Sequence, residues 1–344
     1  MATLKLKRAQ PSKLKIEDMG IKIGIGRMQI SHGGGTGVDW SSYWATLISA
    51  TVETAAPTDV VLTFPTAQTS LTDTDFTVTG FTVASGSWTG NVFTLVLSED
   101  VLIFDGDLSI VFKSTNTGTV TNNVADDGNT VAWYDSSDLT TITKDANDFV
   151  SEWEDKLGSG NDLAQADANR QPKWYSDGRV VFDGIAGAGL GDALKSAAIA
   201  ALDQPTSVYL VIKMKRWTDG NQIMDGIADN GGALYMYTST PNLLAYSGAG
   251  GDTALLNDDL AIDVWGVVRI LFKGATSEIQ VDEGITVTGN MGSGSMGGIT
   301  FGGGASISAA SMANVEFKAA IFRDVEDANH GLAIMNSLKK KLNL

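Results

Sequence analysis

Short runs of alternating or wholly apolar residues, each ended by a turn cluster, recur along almost the whole chain. Examples are "DVVLTF", "NVFTLVLS", "LSIVFK", "RVVFDG" and "VWGVVRILFKG", broken by "APTD", "SGSWTG" and "FDGD". A period of two places every second side chain on one face, so this pattern predicts strands half-buried in sheets and leaves little room for helical layers. The single helical pattern is terminal. In "NHGLAIMNSLKKKLNL", Leu332, Met335 and Leu338 are expected on the buried face, and Lys339, Lys340 and Lys341 stand where the helix dipole favours cations.

The lengths between turns suggest how the strands are grouped. Residues 1–44 read as an arm, because "SHGGGTG" is a hinge composition. Residues 45–124 carry five short runs spaced as in an immunoglobulin-like β sandwich. The turn-rich "STNTGTVTNNVADDGNT" marks a boundary with no core-forming cluster. Seven further strand candidates between 130 and 344 suit two large antiparallel sheets packed face to face.

Charge and chemistry narrow the function. The 344 residues carry a formal net charge of -16, which opposes nucleic-acid binding, yet residues 1–27 hold seven basic groups against Glu17 and Asp18. That basic tip, with Lys5, Lys7, Arg8, Lys13 and Lys15, could attach to an acidic partner, and Trp40 and Trp44 could anchor it or cap the following domain. With no cysteine there is no disulfide, thiol nucleophile or thiolate metal site. No stretch has the length of a membrane span or the form of a secretory signal.

Catalytic patterns are thin. Glu152 and Glu154 in "SEWEDK", and Glu278, Gln280 and Asp282 in "SEIQVDEG", are alternating polar sets that read better as solvated strand faces than as an acid and base pair. His32 and His330 lack partners at zinc-ligand spacing, and "GAGLG" lacks the context of a phosphate loop. The chain is therefore expected to be no enzyme and to need no cofactor. Calcium remains open, because Asp126, Asp127, Asp135 and Asp162 supply hard oxygen ligands, although Asx turns explain the same residues. Asp135 and Asp138 beside Trp133 and Tyr134 are expected to fix a turn. For sugar stacking, the candidates are Trp174, Trp217 and Tyr235, ahead of the core-like Trp265.

"VAWYDSSDLTTI", then "VSEWEDKLGSGNDLAQADANRQPKW" and "GRVVFDG", resemble the opening of concanavalin A-like, laminin G-like jelly rolls; later "VWGVVRILFKG", "SEIQVDEG", "GITFGG" and "FKAAIFRD" resemble their remaining landmarks. Residues 45–124 are similar to the Ig-like modules that precede such domains. Arm, Ig-like module and jelly roll together resemble tailed-phage head-fibre, decoration or tail-appendage proteins. The resemblance implies an all-β chain, an Ig-like sandwich followed by a larger jelly roll with a short C-terminal helix. It further implies a non-catalytic virion-surface protein, homo-oligomeric, attached through its arm to other virion proteins and displaying a surface for host glycan. The alternative is a secreted or cell-surface bacterial adhesin or carbohydrate-binding protein, with a glycoside hydrolase behind it.

Overall fold

A computed structural model of the chain describes residues 39–344, except 185–190, 201, 229, 239–240, 249–253, 308–310, 328–330 and 343, together with two short strands, Ile23–Gly24 and Arg27–Met28. It divides into two compact units, Met1–Leu47 and Ile48–Leu344. In the first, the two short strands pair antiparallel. Trp40–Trp44 forms one helical turn, capped by the Asp39 carboxylate accepting from the Ser42 N–H at 3.2 Å. Trp40 meets Tyr43 edge-on, and Tyr43 and Trp44 are buried. Lys5, Lys7, Arg8, Lys13 and Lys15 lie outside the described residues.

Three sheets build the second unit, and the all-β expectation holds. The seven-stranded sheet runs Phe76–Val78, Leu108–Phe112, Asn116–Asn123, Ser49–Glu53, Ala56–Thr63, Val92–Leu97, Val83–Thr89. The eight-stranded sheet runs Lys173–Tyr175, Arg179–Asp183, Asn314–Arg323, Thr206–Arg216, Trp265–Phe272, Ser277–Val281, Val287–Gly289, with Thr130–Asp135 added on Asn314–Arg323. The nine-stranded sheet runs from Ile142–Lys144 through Val150–Trp153, Leu163–Ala164, Leu194–Ser196, Thr300–Phe301, Gln222–Asp225, Ala233–Met236 and Leu243–Tyr246 to Leu255–Asn257. One face of the eight-stranded sheet (Tyr134, Val208, Ile270, Phe317) and one face of the nine-stranded sheet (Trp153, Leu234, Phe301) share a single apolar core.

The expected fold class, an Ig-like sandwich followed by a separate jelly-roll sandwich, is corrected here. The seven strands follow one continuous hydrogen-bonded path, and Ile48–Leu344 clusters as one compact unit. A second core explains the fusion. The outer face of the eight-stranded sheet (Trp133, Tyr209, Val211, Val267, Ile321) packs with Phe104 from the short 3-10 turn Ile103–Asp105 and with Ile334, Met335 and Leu338 of the helix Gly331–Leu342. Phe104 meets Trp133 edge-on at 5.2 Å. Nor is "STNTGTVTNN" a linker. Asn116–Asn123 pairs antiparallel with Leu108–Phe112 and parallel with Ser49–Glu53, and Val120 turns inward while the threonines face out.

Candidate functional site

A cavity of about 200 Å³ opens in the second unit, lined by apolar residues that include Pro57, Val101, Leu102, Phe104 and Ile334 and by Asp126, Asp127 and Arg323. Local sequence fixes the acidic wall. In "ADDGN", Asp126 accepts from the Gly128 N–H at 2.9 Å and Asp127 from the Asn129 N–H at 3.1 Å. These are two overlapping Asx turns that need the left-handed Gly128, φ 84°. Their remaining oxygens are thereby turned toward Arg323, the last residue of Asn314–Arg323.

Arg323 is buried and fully engaged. Its guanidinium donates to Asp127 at 2.6 Å, to Asp327 at 2.7 Å and to the Thr130 hydroxyl at 2.8 Å, with Asp126 3.7 Å away. Asp327 also accepts from the buried Tyr209 hydroxyl at 3.0 Å. Burial works against both charges in the Arg323 and Asp127 pair, but their mutual bonds outweigh it. Asp127 is lowered from 3.8 to about 2, and Arg323 is raised above its ordinary value. Burial, followed by the Asp327 charge, raises Tyr209. Three carboxylates around one guanidinium, with Asp100 also on the lining, leave the cavity short of positive charge. It is therefore suited to a neutral ligand rich in hydroxyl donors that also has an apolar face, and not to an anion.

The remaining candidate residues go elsewhere. Asp135 is 1% exposed and bonds Lys341, Lys156 at 3.3 Å, and the Ser137 N–H and hydroxyl at 3.1 and 2.6 Å. Asp138 caps the 3-10 turn Leu139–Thr141 and pairs with Lys156 at 2.8 Å. Asp162 accepts from the Asp155 N–H at 2.8 Å. Of the four calcium candidates only Asp126 and Asp127 come together, and among the described residues no group of three or more His, Asp or Glu is placed to hold a metal ion.

Trp174 and Trp217 pack against the main core, their indole N–H groups donating to the carbonyls of Ser136 at 3.0 Å and Thr238 at 2.9 Å. Tyr235 stacks on Tyr246 with centroids 5.3 Å apart, and both hydroxyls donate to Asn230 Oδ1, that of Tyr235 at 2.6 Å. Glu278 pairs with Arg269 at 2.7 Å. His32 and His330 lie outside the described residues.

Sequence reasoning missed Arg323. Its signal was a lone arginine closing the apolar strand "AAIFRD", where an unpaired cation would be costly and a partner must exist. It also missed Asp192, buried beside Asp183, whose N–H it accepts at 2.9 Å. Burial raises this carboxyl to about 7, and the neighbouring Asp183 adds to the shift.

No family model and no curated protein matches the chain. Solved structures do resemble it. The sialidase of Trypanosoma rangeli in complex with sialic acid aligns at TM-score 0.47 and 11% identity, over 75% of this chain and 42% of that one. The binding domain of botulinum neurotoxin DC in complex with rat synaptotagmin II aligns at 0.43 and 13%, over 61% and 52%. A GH54 arabinofuranosidase soaked with a cyclic sulfate inhibitor aligns at 0.42 and 14%, over 56% and 51%. The chain spans about half the length of these proteins or less, and likenesses of this strength assign neither family nor activity. Neither the family models and curated proteins nor these structures support the expected virion-appendage resemblance, the structural role drawn from it or the expectation of no enzyme, and none of the three is retained. No helix among the described residues is long and apolar enough to cross a membrane.

Proposed function

We propose that the chain is a carbohydrate-active protein and that the Asp126, Asp127 and Arg323 cavity is where it engages a neutral saccharide. The observation that carries this reading is the mixed lining of the cavity, where apolar Val101, Leu102 and Phe104 share one space with the carboxylates of Asp100, Asp126 and Asp127. A pyranose presents the matching pair of surfaces, C–H groups on its faces and hydroxyl donors at its rim. Asp127, held ionised by Arg323, can accept from such hydroxyls over the whole neutral range. It can also serve as a base, but not as the proton donor that glycoside cleavage requires.

An array of neutral oligosaccharides probed with the full chain, followed by calorimetry on the hits, tests the reading. Asp127→Asn and Asp100→Asn, both at the rim, should each weaken binding about tenfold, the loss of a charge-assisted hydrogen bond. Reducing ends released from each bound oligosaccharide report turnover in the same samples. Absence of any hit, or affinity unchanged in both variants, would overturn the assignment.

A further inference from the structure

On the outer face of the eight-stranded sheet, the C-terminal helix covers Tyr209, Val211 and Val267 and then stops. Beyond it the composition of the same face changes, and its side chains are partly exposed. Lys213 on Thr206–Arg216 and Lys318 on Asn314–Arg323 both stand over the ring of Trp265, at 5.0 and 4.9 Å. Farther along, Lys173 and Arg179 stand over Tyr175, at 5.8 and 4.7 Å. The face thus alternates cations and aromatic planes, on a chain whose net charge is -16.

Part of this charge is already neutralised. Glu316 pairs with Lys213 at 2.7 Å, and Asp177 pairs with Arg179 at 3.0 Å. Among the described residues, no carboxylate lies within ion-pairing distance of Lys173 or Lys318. Burial holds the Lys318 ammonium below its ordinary value, and the charges of Asp177 and Glu316 restore it only in part against those of Lys213 and Arg179. An ammonium resting on an indole and held in no direct ion pair is a place where an incoming anion gains, because the cation is already partly desolvated.

We propose that this face binds an anionic polysaccharide, one whose sugars carry carboxylate or sulfate groups. The five adjacent strands from Lys173–Tyr175 to Trp265–Phe272 make a platform about 19 Å across at the usual strand spacing. That is the length of a short oligosaccharide rather than of a single small anion. The rings lie beneath ammonium groups instead of projecting, so they hold the cations in place and offer no wedge to insert into a bilayer. The charge of the whole chain repels the dense phosphate ladder of a nucleic acid and is less adverse to a polymer with widely spaced acid groups. This site is separate from the cavity that holds Arg323, and either can fail without the other.

The test is titration of the full chain with polygalacturonate oligomers and with dextran sulfate, with neutral dextran, inorganic sulfate, phosphatidylserine vesicles and single-stranded DNA as separate arms. The expected result is binding of an acidic polysaccharide at least tenfold tighter than of neutral dextran, weakening as salt rises. Lys318→Ala and Lys173→Ala, which orphan no ion pair, should each cost about fivefold, and Lys318→Glu should cost more, with unchanged melting temperatures confirming the fold. Equal binding of neutral dextran, no effect of Lys318→Glu, or preference for vesicles, DNA or inorganic sulfate would each overturn the proposal.

Discussion

At the residue scale, burial separates carboxylates that the sequence presents as equivalent. Asp127 lies in the run "ADDGNT" and Asp192 in "GLGDAL". Arg323 holds Asp127 at about 2, whereas burial carries Asp192 up to about 7. The two make opposite contributions to stability. For Asp127 the folded value is depressed, so its contribution is complete above 3.8 and is lost as pH falls toward about 2. For Asp192 the folded value is raised, so stability is lost as pH climbs from 3.8 through about 7. Urea midpoints followed from pH 2 to 9 should therefore fall at both ends. Asp127→Asn should flatten the acid limb, by about 1 kcal/mol given that this side chain is nearly half exposed. Asp192→Asn should flatten the neutral limb; limbs unchanged by both substitutions would refute the assignment. Arg323→Ala should cost about 3–5 kcal/mol, because it leaves the buried Asp327 without its cation.

At the scale of elements, the terminal helix shows how far periodicity reaches. The sequence locates it and its basic end, but it assigns Leu332 to the buried face, and Leu332 is 55% exposed. The side chains that enter the second core are Ile334, Met335 and Leu338. Leu332 and Ile334 are two residues apart, which on a helix turns them to nearly opposite sides. Nothing in so short a segment says which side meets the sheet; the contacts made by its lysines do. Lys339 reaches Glu283 at 2.7 Å, Lys340 reaches Glu99, and Lys341 reaches the buried Asp135. The helix therefore ties the region around residue 99 to the eight-stranded sheet. Leu338→Ala should destabilise by about 2–5 kcal/mol, and Leu332→Ala by under about 0.5 kcal/mol. Chemical denaturation distinguishes them, and equal costs would refute this orientation.

At the scale of the whole molecule, Ile48–Leu344 is one compact unit. Residues 130–344 produced alone would lose Phe104 from the Trp133 face, Glu99 from Lys340, and Asp126 and Asp127 from Arg323. Their melting temperature should fall on the order of 10 °C below that of residues 48–344, and coincident melting curves would show the two parts to be independent. The sequence by itself determined the apolar strands and the terminal helix. "DVVLTF", "NVFTLVLS", "TSVYLVIKMKRW" and "VWGVVRILFKG" all fall on strands, because alternation and β-branched runs act locally. It also determined the exclusion of disulfide and thiolate chemistry, which composition alone decides. Only the tertiary structure decided that "TGTVTNN" is a strand, since a single inward Val120 gives too little local signal. The meeting of Asp126 and Asp127 with Arg323, almost 200 positions later, was likewise a tertiary matter. Which two distant strand ends become neighbours depends on sheet order and on cores shared across the chain, and a short window of sequence records neither.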